Sequence, residues 1–309
     1  MSLIESMQSC FPSRLPANCE QDMVGIEIEY ENSASRSLSL ENDGYWSRKP
    51  DGSLRNNGIE IVSRPLLITE LDTALAVANR CVARTSLEAS ARCGLHIHVN
   101  MLNTRLLDFY SFAAQYALLE PTIFQEFAPQ RERSAFCVPL YDQPASYRQM
   151  FKDIQASRGK RVFHEGNYIT TKKYTPLYFT FATSKYSALN FGAFQRFGTV
   201  EFRQHPSTRD FVAIKRWIDF LCRLKTSAMG MSDPMDIVTA YETKGLKQLQ
   251  QEVLGYTTAV CNKKQDRAEE AALFMVGFDE PESRETATIE AMLEPDILSY
   301  DGSEPEEEY

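Results

Sequence analysis

Ionisable side chains recur at alternate positions of four short apolar segments. Glu27 and Glu29 alternate with isoleucines in GIEIEY, and two histidines do the same in LHIHV. Successive side chains of a β-strand point to opposite faces, so both members of each pair lie on one face. We predict four strands with such a polar face, which carries Glu27, Glu29, Glu60, His96, His98, Glu201 and Arg203.

The residue types on this face favour a metal site. A single alternating strand is often simply solvated on its polar side, which is the alternative interpretation. Two carboxylates side by side on a strand, however, repel each other unless a cation lies between them. Carboxylates with one imidazole suit Mg²⁺ or Mn²⁺ better than Zn²⁺. The chain has four histidines, and two of them form this His-x-His pair.

Other catalytic signatures are absent from the sequence. It contains no phosphate-binding Gly-x-x-x-x-Gly-Lys-Ser/Thr loop, no Gly-x-Gly-x-x-Gly fingerprint and no Gly-x-Ser-x-Gly elbow. Cys93 lies three residues before His96, but a nucleophile and its base usually come from separate elements. We interpret His164 and His205 as surface or capping residues.

The elements that position these residues alternate between strands and helices. Apolar alternation predicts strands, of which the last two form a hairpin that turns at Arg196-Phe197-Gly198. The predicted strands are 24–30, 58–63, 95–99, 189–194 and 199–203. Asp43-Gly44 and Asp51-Gly52 mark turns in the polar stretch before the second strand.

Helical periodicity predicts four helices. They cover 69–87, 104–119 (ended by Pro121), 209–224 (capped by Thr208) and 233–275. This order of elements predicts an α+β fold rather than a doubly wound sheet. The aromatic segment 141–179 is either a lid over the substrate or, around its basic residues at 158–161, an ordinary solvated turn.

Composition bounds the class of protein. The chain of 309 residues has seven cysteines without a Cys-x-x-Cys pair, which indicates reduced thiols and a cytoplasmic protein. We expect no membrane span, since no apolar run approaches the roughly 18 residues that one needs, and the first residues do not resemble a secretory signal.

Negative charge is concentrated at the C-terminal end. Residues 279–309 contain twelve acidic residues and one basic residue, whereas the net charge of the whole chain is −9. The rest of the chain is therefore nearly neutral and gives no indication of general nucleic-acid binding. We interpret 299–309 as a disordered, solubilising tail, with a partner-binding arm as the alternative.

Several of these segments, in this order, resemble the amidoligase family, which consists of carboxylate–amine ligases with a glutamine-synthetase-like fold. The segments are GIEIEY, DGSL with GIEIVSRP, CGLHIHVN and RFGTVEFRQHPST, supported by ERSAFCVPL and KYSALNF. The resemblance covers about 22–225. It implies a curved, mainly antiparallel sheet flanked by helices in a catalytic domain at 22–230. An N-terminal extension would cover 1–21, a helical C-terminal extension 231–298, and the acidic tail 299–309.

The resemblance also implies roles for individual residues. Two or more Mg²⁺ or Mn²⁺ ions would be held by Glu27, Glu29, Glu60, His96 and Glu201. His98 would lie nearer the phosphates of ATP, and Arg203 would face the transferred phosphoryl group with help from Arg196. Asp51 and Asn190 match polar positions that would contact substrate or nucleotide.

The activity that follows from this resemblance is ATP-dependent, ADP-forming amide-bond formation through an acyl phosphate. The partners would be a carboxylate, an amine and a glutamine-hydrolysing or other biosynthetic enzyme. Alternatives are a phosphotransferase of related fold with a stable phosphorylated product, a metal-dependent hydrolase, and a non-catalytic nucleotide-binding protein.

Overall fold

One antiparallel sheet organises the part of the chain that the computed structural model describes, residues 20–31, 44–143, 186–230 and 235–257. Seven strands in this part form the sheet in the order β2-β3-β1-β5-β7-β6, and β4 pairs with the start of β1. The strands are β1 (Met23–Tyr30), β2 (Trp46–Pro50), β3 (Ile59–Ser63), β4 (Leu66–Leu67), β5 (Leu95–Asn100), β6 (Leu189–Asn190) and β7 (Thr199–Phe202).

Five α-helices accompany the sheet in the described residues. They are α1 (Leu71–Ala83), α2 (Leu106–Phe127), α3 (Gly192–Phe197), α4 (Phe211–Ser227) and α5 (Met235–Leu254). Short 3₁₀ turns lie at Ile68–Glu70, Pro129–Arg131 and Leu140–Asp142. Helices α2, α4 and α5 contact one another, and α1 contacts α4. None of the helices in these ranges has the length and apolar character of a membrane span.

The hydrophobic core joins these helices to one face of the sheet. Ile26, Ile28, Ile61, Ile97 and Phe202 are fully buried at alternate strand positions, in one cluster with residues of α1, α2, α4 and α5. The polar residues between them therefore lie on the other face. This arrangement confirms the prediction of an α+β fold with a mainly antiparallel sheet flanked by helices.

The predicted end of the second helix was wrong. Helix α2 runs through Pro121 to Phe127 rather than ending before the proline. A proline inside a helix costs about 3 kcal/mol. Ile123 and Phe124 are fully buried beyond it, and burying two such side chains contributes roughly 1.5–3 kcal/mol each. Packing therefore outweighs the local penalty.

The predicted hairpin was correct in pairing and wrong in detail. Strands β6 and β7 are antiparallel neighbours, but the connection is helix α3 and not a tight turn. Asn190 Oδ1 accepts a hydrogen bond of 2.9 Å from the Gly192 amide at the start of this helix. Gly198, with φ of +70°, ends it in the left-handed conformation that glycine adopts without strain.

Two further differences involve β2 and α4. Strand β2 lies in a stretch that the sequence indicated only as polar, and it is fixed by buried Trp46, whose Nε1 donates to the Ala74 carbonyl oxygen. Helix α4 begins two residues later than predicted. Its cap is Asp210, which accepts from the amides of Val212 and Ala213, rather than Thr208.

Several predictions fall outside the described residues. They are most of the N-terminal extension, the acidic tail, the larger part of the segment 141–179, His164, and the predicted helix beyond residue 257. Within the described part of that helical region, α5 is present, with non-helical backbone at Gly245.

Candidate metal centre

The register of the sheet brings the predicted metal residues together. Glu27 of β1 lies opposite His96 of β5, and Glu29 lies opposite Glu60 of β3. On the other side of β5, His98 lies opposite Glu201 of β7. We call these six residues the carboxylate–histidine cluster: Glu27, Glu29, Glu60, His96, His98 and Glu201.

Buried His96 lies among three carboxylates. Its Nδ1 is 3.4 Å from Glu27 Oε2 and 3.7 Å from Glu201 Oε1. Its Nε2 is 3.6 Å from Glu29 Oε1, and this nitrogen is buried without a hydrogen-bond partner. A buried imidazole nitrogen is normally satisfied. The orphaned nitrogen among carboxylate oxygens therefore fits a divalent cation, and the oxygen-rich donor set fits Mg²⁺ or Mn²⁺.

Two groups of three residues have ligand atoms within 4.8 Å of one another. One group is Glu27, Glu60 and His96, and the other is Glu27, His98 and Glu201. Glu27 belongs to both groups. The cluster therefore offers two overlapping sets of candidate metal ligands.

The crowded carboxyl groups of the cluster have shifted pKa values, and a bound cation would offset the repulsion between their charges. Burial and the neighbouring negative charge of Glu27 raise the pKa of Glu60 to about 8. Burial alone would also raise the pKa of Glu27, but hydrogen bonds with His96 and His98 and their positive charge bring it well below its usual range. Glu60 thus keeps its proton to a higher pH than an ordinary glutamate, next to a Glu27 that favours its ionised form.

The pH dependence of metal binding follows from this pair. Metal binding must displace the proton of Glu60, so Mn²⁺ affinity should fall about tenfold for each pH unit below about 8 and level off above it. Mn²⁺ titrations followed by electron paramagnetic resonance between about pH 6 and 8.5 measure this slope. Glu60→Gln should flatten the slope, and an unchanged slope in that variant would contradict the assignment.

Glu27 and His98 of the cluster line a cavity of about 390 Å³. His98 Nε2 lies 3.4 Å from Glu27 Oε1, and His98 Nδ1 hydrogen-bonds with Thr199 Oγ1 at 2.9 Å. Two cationic side chains lie on the cavity wall, and the ring of Phe197 meets His98 edge-on at 5.7 Å. The wall includes Glu27, Lys49, His98, Asn100, Arg196 and Phe197.

Polar contacts hold Glu201 on both of its oxygens. Oε1 accepts a hydrogen bond of 2.5 Å from Arg203 Nη1, and Oε2 accepts one of 2.8 Å from Asn190 Nδ2. Arg203 and Asn190 therefore lie beside the cluster, as the motif positions suggested. Arg196 lies instead at the cavity, where its guanidinium is 5.3 Å from the ring of Phe197.

Asp51 lies in the turn after β2, where its Oδ1 accepts a hydrogen bond of 2.8 Å from the Ser53 amide. Its charge contributes to the raised pKa of Glu60. Asp51 is therefore near the cluster but outside the ring of carboxylates around His96.

Sequence reasoning missed the glycines that make room for the histidines. A Cβ on Gly25 would lie 3.3 Å from His98 Cβ, and one on Gly94 would lie 2.6 Å from His96 Nε2. The Gly94 amide also donates to Glu29 Oε2 at 2.6 Å. Glycine beside a strand indicates close approach of another group. The signal was thus present, since each glycine stands next to one of the charged pairs.

Comparison with known proteins agrees with the motifs. The family model described as "Putative amidoligase enzyme" matches residues 18–225. This range contains all of the residues that form the carboxylate–histidine cluster. No curated protein matches the chain. Since the family model covers well over half of its length, the chain belongs to this amidoligase family.

Proposed function

We propose that this protein is an ATP- and divalent-metal-dependent ligase that joins a carboxylate to an amine, with a glutamine-synthetase-like fold. The observation that carries the proposal is the buried His96 among Glu27, Glu29 and Glu201, in a chain of the amidoligase family. Such a cluster suits cations that bind phosphate oxygens.

Amide formation needs an activated carboxylate. An amine that attacks a free carboxylate would have to expel an oxide or hydroxide ion, which is a poor leaving group. If an oxygen of the carboxylate first attacks the γ-phosphorus of ATP, ADP leaves and an acyl phosphate forms. The amine nitrogen then attacks the carbonyl carbon, inorganic phosphate leaves, and a base takes the amine proton.

The cluster would hold the metal ions for this reaction through Glu27, Glu29, Glu60, His96 and Glu201. When bound, Mg²⁺ or Mn²⁺ supplies positive charge to the phosphate oxygens and aligns them for transfer. The structure supports the fit through the orphaned Nε2 of His96 and through the carboxylate whose pKa is raised by its neighbours.

The cationic cavity next to His98 supports a nucleotide site. Lys49, Arg196 and His98 line it, and their side chains would bind the phosphates of ATP. Arg203, whose guanidinium is held by Glu201, would stabilise the charge of the transferred phosphoryl group. Asn190 would position Glu201, and Asp51 would contact substrate or nucleotide.

The decisive assay supplies the protein with ATP, Mg²⁺ or Mn²⁺, and pools of carboxylates and amines. We expect ADP, phosphate and a condensation product in equal amounts, and only when both co-substrates are present. A glutamine-hydrolysing enzyme could supply ammonia as the amine. A stable phosphorylated product without condensation would indicate a phosphotransferase instead, and turnover without ATP would indicate a hydrolase.

A further inference from the structure

Three arginines lie beside the carboxylate–histidine cluster, and two of them contact Phe136. The guanidinium of Arg92 lies 5.4 Å from the centre of the Phe136 ring. Arg203 Nε donates to the Phe136 carbonyl oxygen at 3.5 Å. Arg131 belongs to the 3₁₀ turn five residues before Phe136 and donates through Nη1 to the Cys93 carbonyl oxygen at 2.8 Å.

Arg131 is buried, and its guanidinium hydrogen-bonds with the Cys93 carbonyl oxygen and the Cys137 side chain. It is only 2% exposed, and its Nε has no hydrogen-bond partner. Among the described residues, no carboxylate lies within ion-pair distance of its guanidinium. Burial of an unpaired guanidinium is unfavourable, and an arginine in such a place is normally paired with an anion. Within the described ranges Arg131 therefore has no carboxylate partner, and an anionic ligand would supply one.

The Arg131 guanidinium lies next to the carboxylate–histidine cluster. A methyl-sized group placed at Gly94 would be 2.6 Å from His96 Nε2 and 3.2 Å from Arg131 Nη2. Arg92 is 36% exposed; its Nε lies 4.0 Å from Glu31 Oε1 without a hydrogen bond, and its Nη2 donates to the Ser53 carbonyl oxygen. An anion bound between these arginines would enter from solvent past Arg92 and would contact the buried guanidinium of Arg131.

Arg131 and Arg92 lie at one end of the carboxylate–histidine cluster, and the cavity lies at the other end. On β1, Gly25 lines the cavity and Glu29 lies towards the other end of the strand. On β5, His98 lines the cavity, whereas Gly94 precedes the strand at the arginine end. In phosphoryl transfer the attacking and leaving oxygens are roughly in line. A nucleotide in the cavity therefore requires the attacking carboxylate at the arginine end.

The geometry points to Arg131 and Arg92 as the subsite that binds the carboxylate of the acceptor substrate, an inference that rests on the proposed function. The planar guanidinium fork matches a carboxylate with two parallel hydrogen bonds. Arg203 borders the same subsite, where it can bind the phosphoryl group as it reaches the carboxylate. In this arrangement the nucleotide and the acceptor would bind on two sides of the cluster.

Acetate is the probe for this subsite. In protein loaded with Mn²⁺, the relaxation of the carboxyl carbon of ¹³C-labelled acetate should be enhanced by the bound ion. We expect Arg131→Met to weaken acetate binding about tenfold or more, because hydrogen bonds to a charged group are lost. Arg92→Leu, at a partly exposed side chain, should act in the same direction if Arg131→Met does not fold. Arg133→Met, at an exposed arginine of the same loop, should leave acetate affinity unchanged.

The outcomes separate this subsite from the proposed function. Acetate binding in Arg131→Met and Arg92→Leu that equals the wild type would overturn the subsite and show that Mn²⁺ alone holds acetate. Bound Mn²⁺ without any acetate effect in the wild type would overturn the subsite and leave the metal centre intact. If Mn²⁺ does not bind, the proposed function fails. Saturation transfer to the acetate methyl protons in metal-free protein then tests the arginines, and equal transfer in wild type and variants would overturn their role.

Discussion

Replacement of Glu27 by glutamine should lower ATP-dependent turnover by about a thousandfold or more. Glu27 is the member shared by both groups of potential ligands. It also lies 3.4 Å from each histidine of the cluster. The amide of glutamine keeps the size of the side chain but lacks the charge that a divalent ion requires. The variant should therefore lose Mn²⁺ binding at both groups and turnover together, as ADP release and Mn²⁺ titration would show.

A matched control separates this effect from general damage to the protein. Glu88 is an exposed glutamate outside the cluster, and Glu88→Gln should retain wild-type turnover and Mn²⁺ affinity. Metal-free Glu27→Gln should be less stable than the wild type, because the charge of Glu27 loses its favourable interactions with His96 and His98. Turnover is therefore compared at a temperature at which both proteins are folded. Full turnover in Glu27→Gln would contradict the assignment of the metal centre.

Strand periodicity explains how much of the site was predictable. Alternation in GIEIEY and LHIHV placed each pair on one face, because this depends only on local backbone geometry. It could not show which pairs become neighbours, since register depends on pairing between distant strands. The structure supplies that information by placing Glu27 opposite His96 and His98 opposite Glu201. The shared role of Glu27 follows only from this register.

The errors in the predicted fold have a common physical cause. Pro121 and the segment after Asn190 were interpreted from local preferences, whereas tertiary burial decided their structure. Burial of Ile123 and Phe124 stabilises α2 beyond the proline. Phe194 is likewise buried, and it lies in helix α3 rather than in a strand. Strand β2 was missed for the opposite reason, since four of its five residues are exposed and give no apolar alternation.

The sequence did not predict which other residues lie at the edge of the site. Lys49, Thr199 and Arg131 come from separate parts of the chain, and none of them stands in an alternating charged pair. Lys49 and Thr199 meet at the cavity, and Arg131 reaches the cluster through the 3₁₀ turn after α2. Only the folded sheet and its loops reveal that Lys49 and Arg131 lie on two sides of the carboxylates.

Replacement of Arg203 by glutamine should produce a different combination of effects. Arg203 is bound to Glu201 Oε1 at 2.5 Å, so it competes with a metal ion for that oxygen. Its loss should leave Mn²⁺ affinity unchanged or increase it. Turnover should nevertheless fall by about a hundred- to a thousandfold, as when a preorganised group that stabilises the transition state is removed. Steady-state ADP release and Mn²⁺ titration of the same preparation give both quantities.

The combination of the two measurements determines what Arg203 does. Glu27→Gln should lose metal and turnover together, whereas Arg203→Gln should lose turnover alone, because in the proposed mechanism the guanidinium acts on the phosphoryl group and not on the metal. Arg203→Lys keeps the charge but not the two-pronged donor, so it should recover only part of the activity. Arg133→Gln, at an exposed arginine, should behave as wild type. If Arg203→Gln weakens Mn²⁺ binding in proportion to turnover, Arg203 instead positions Glu201 as a ligand, and the charge on the phosphoryl group must be stabilised by Arg196 or Lys49 from the cavity side.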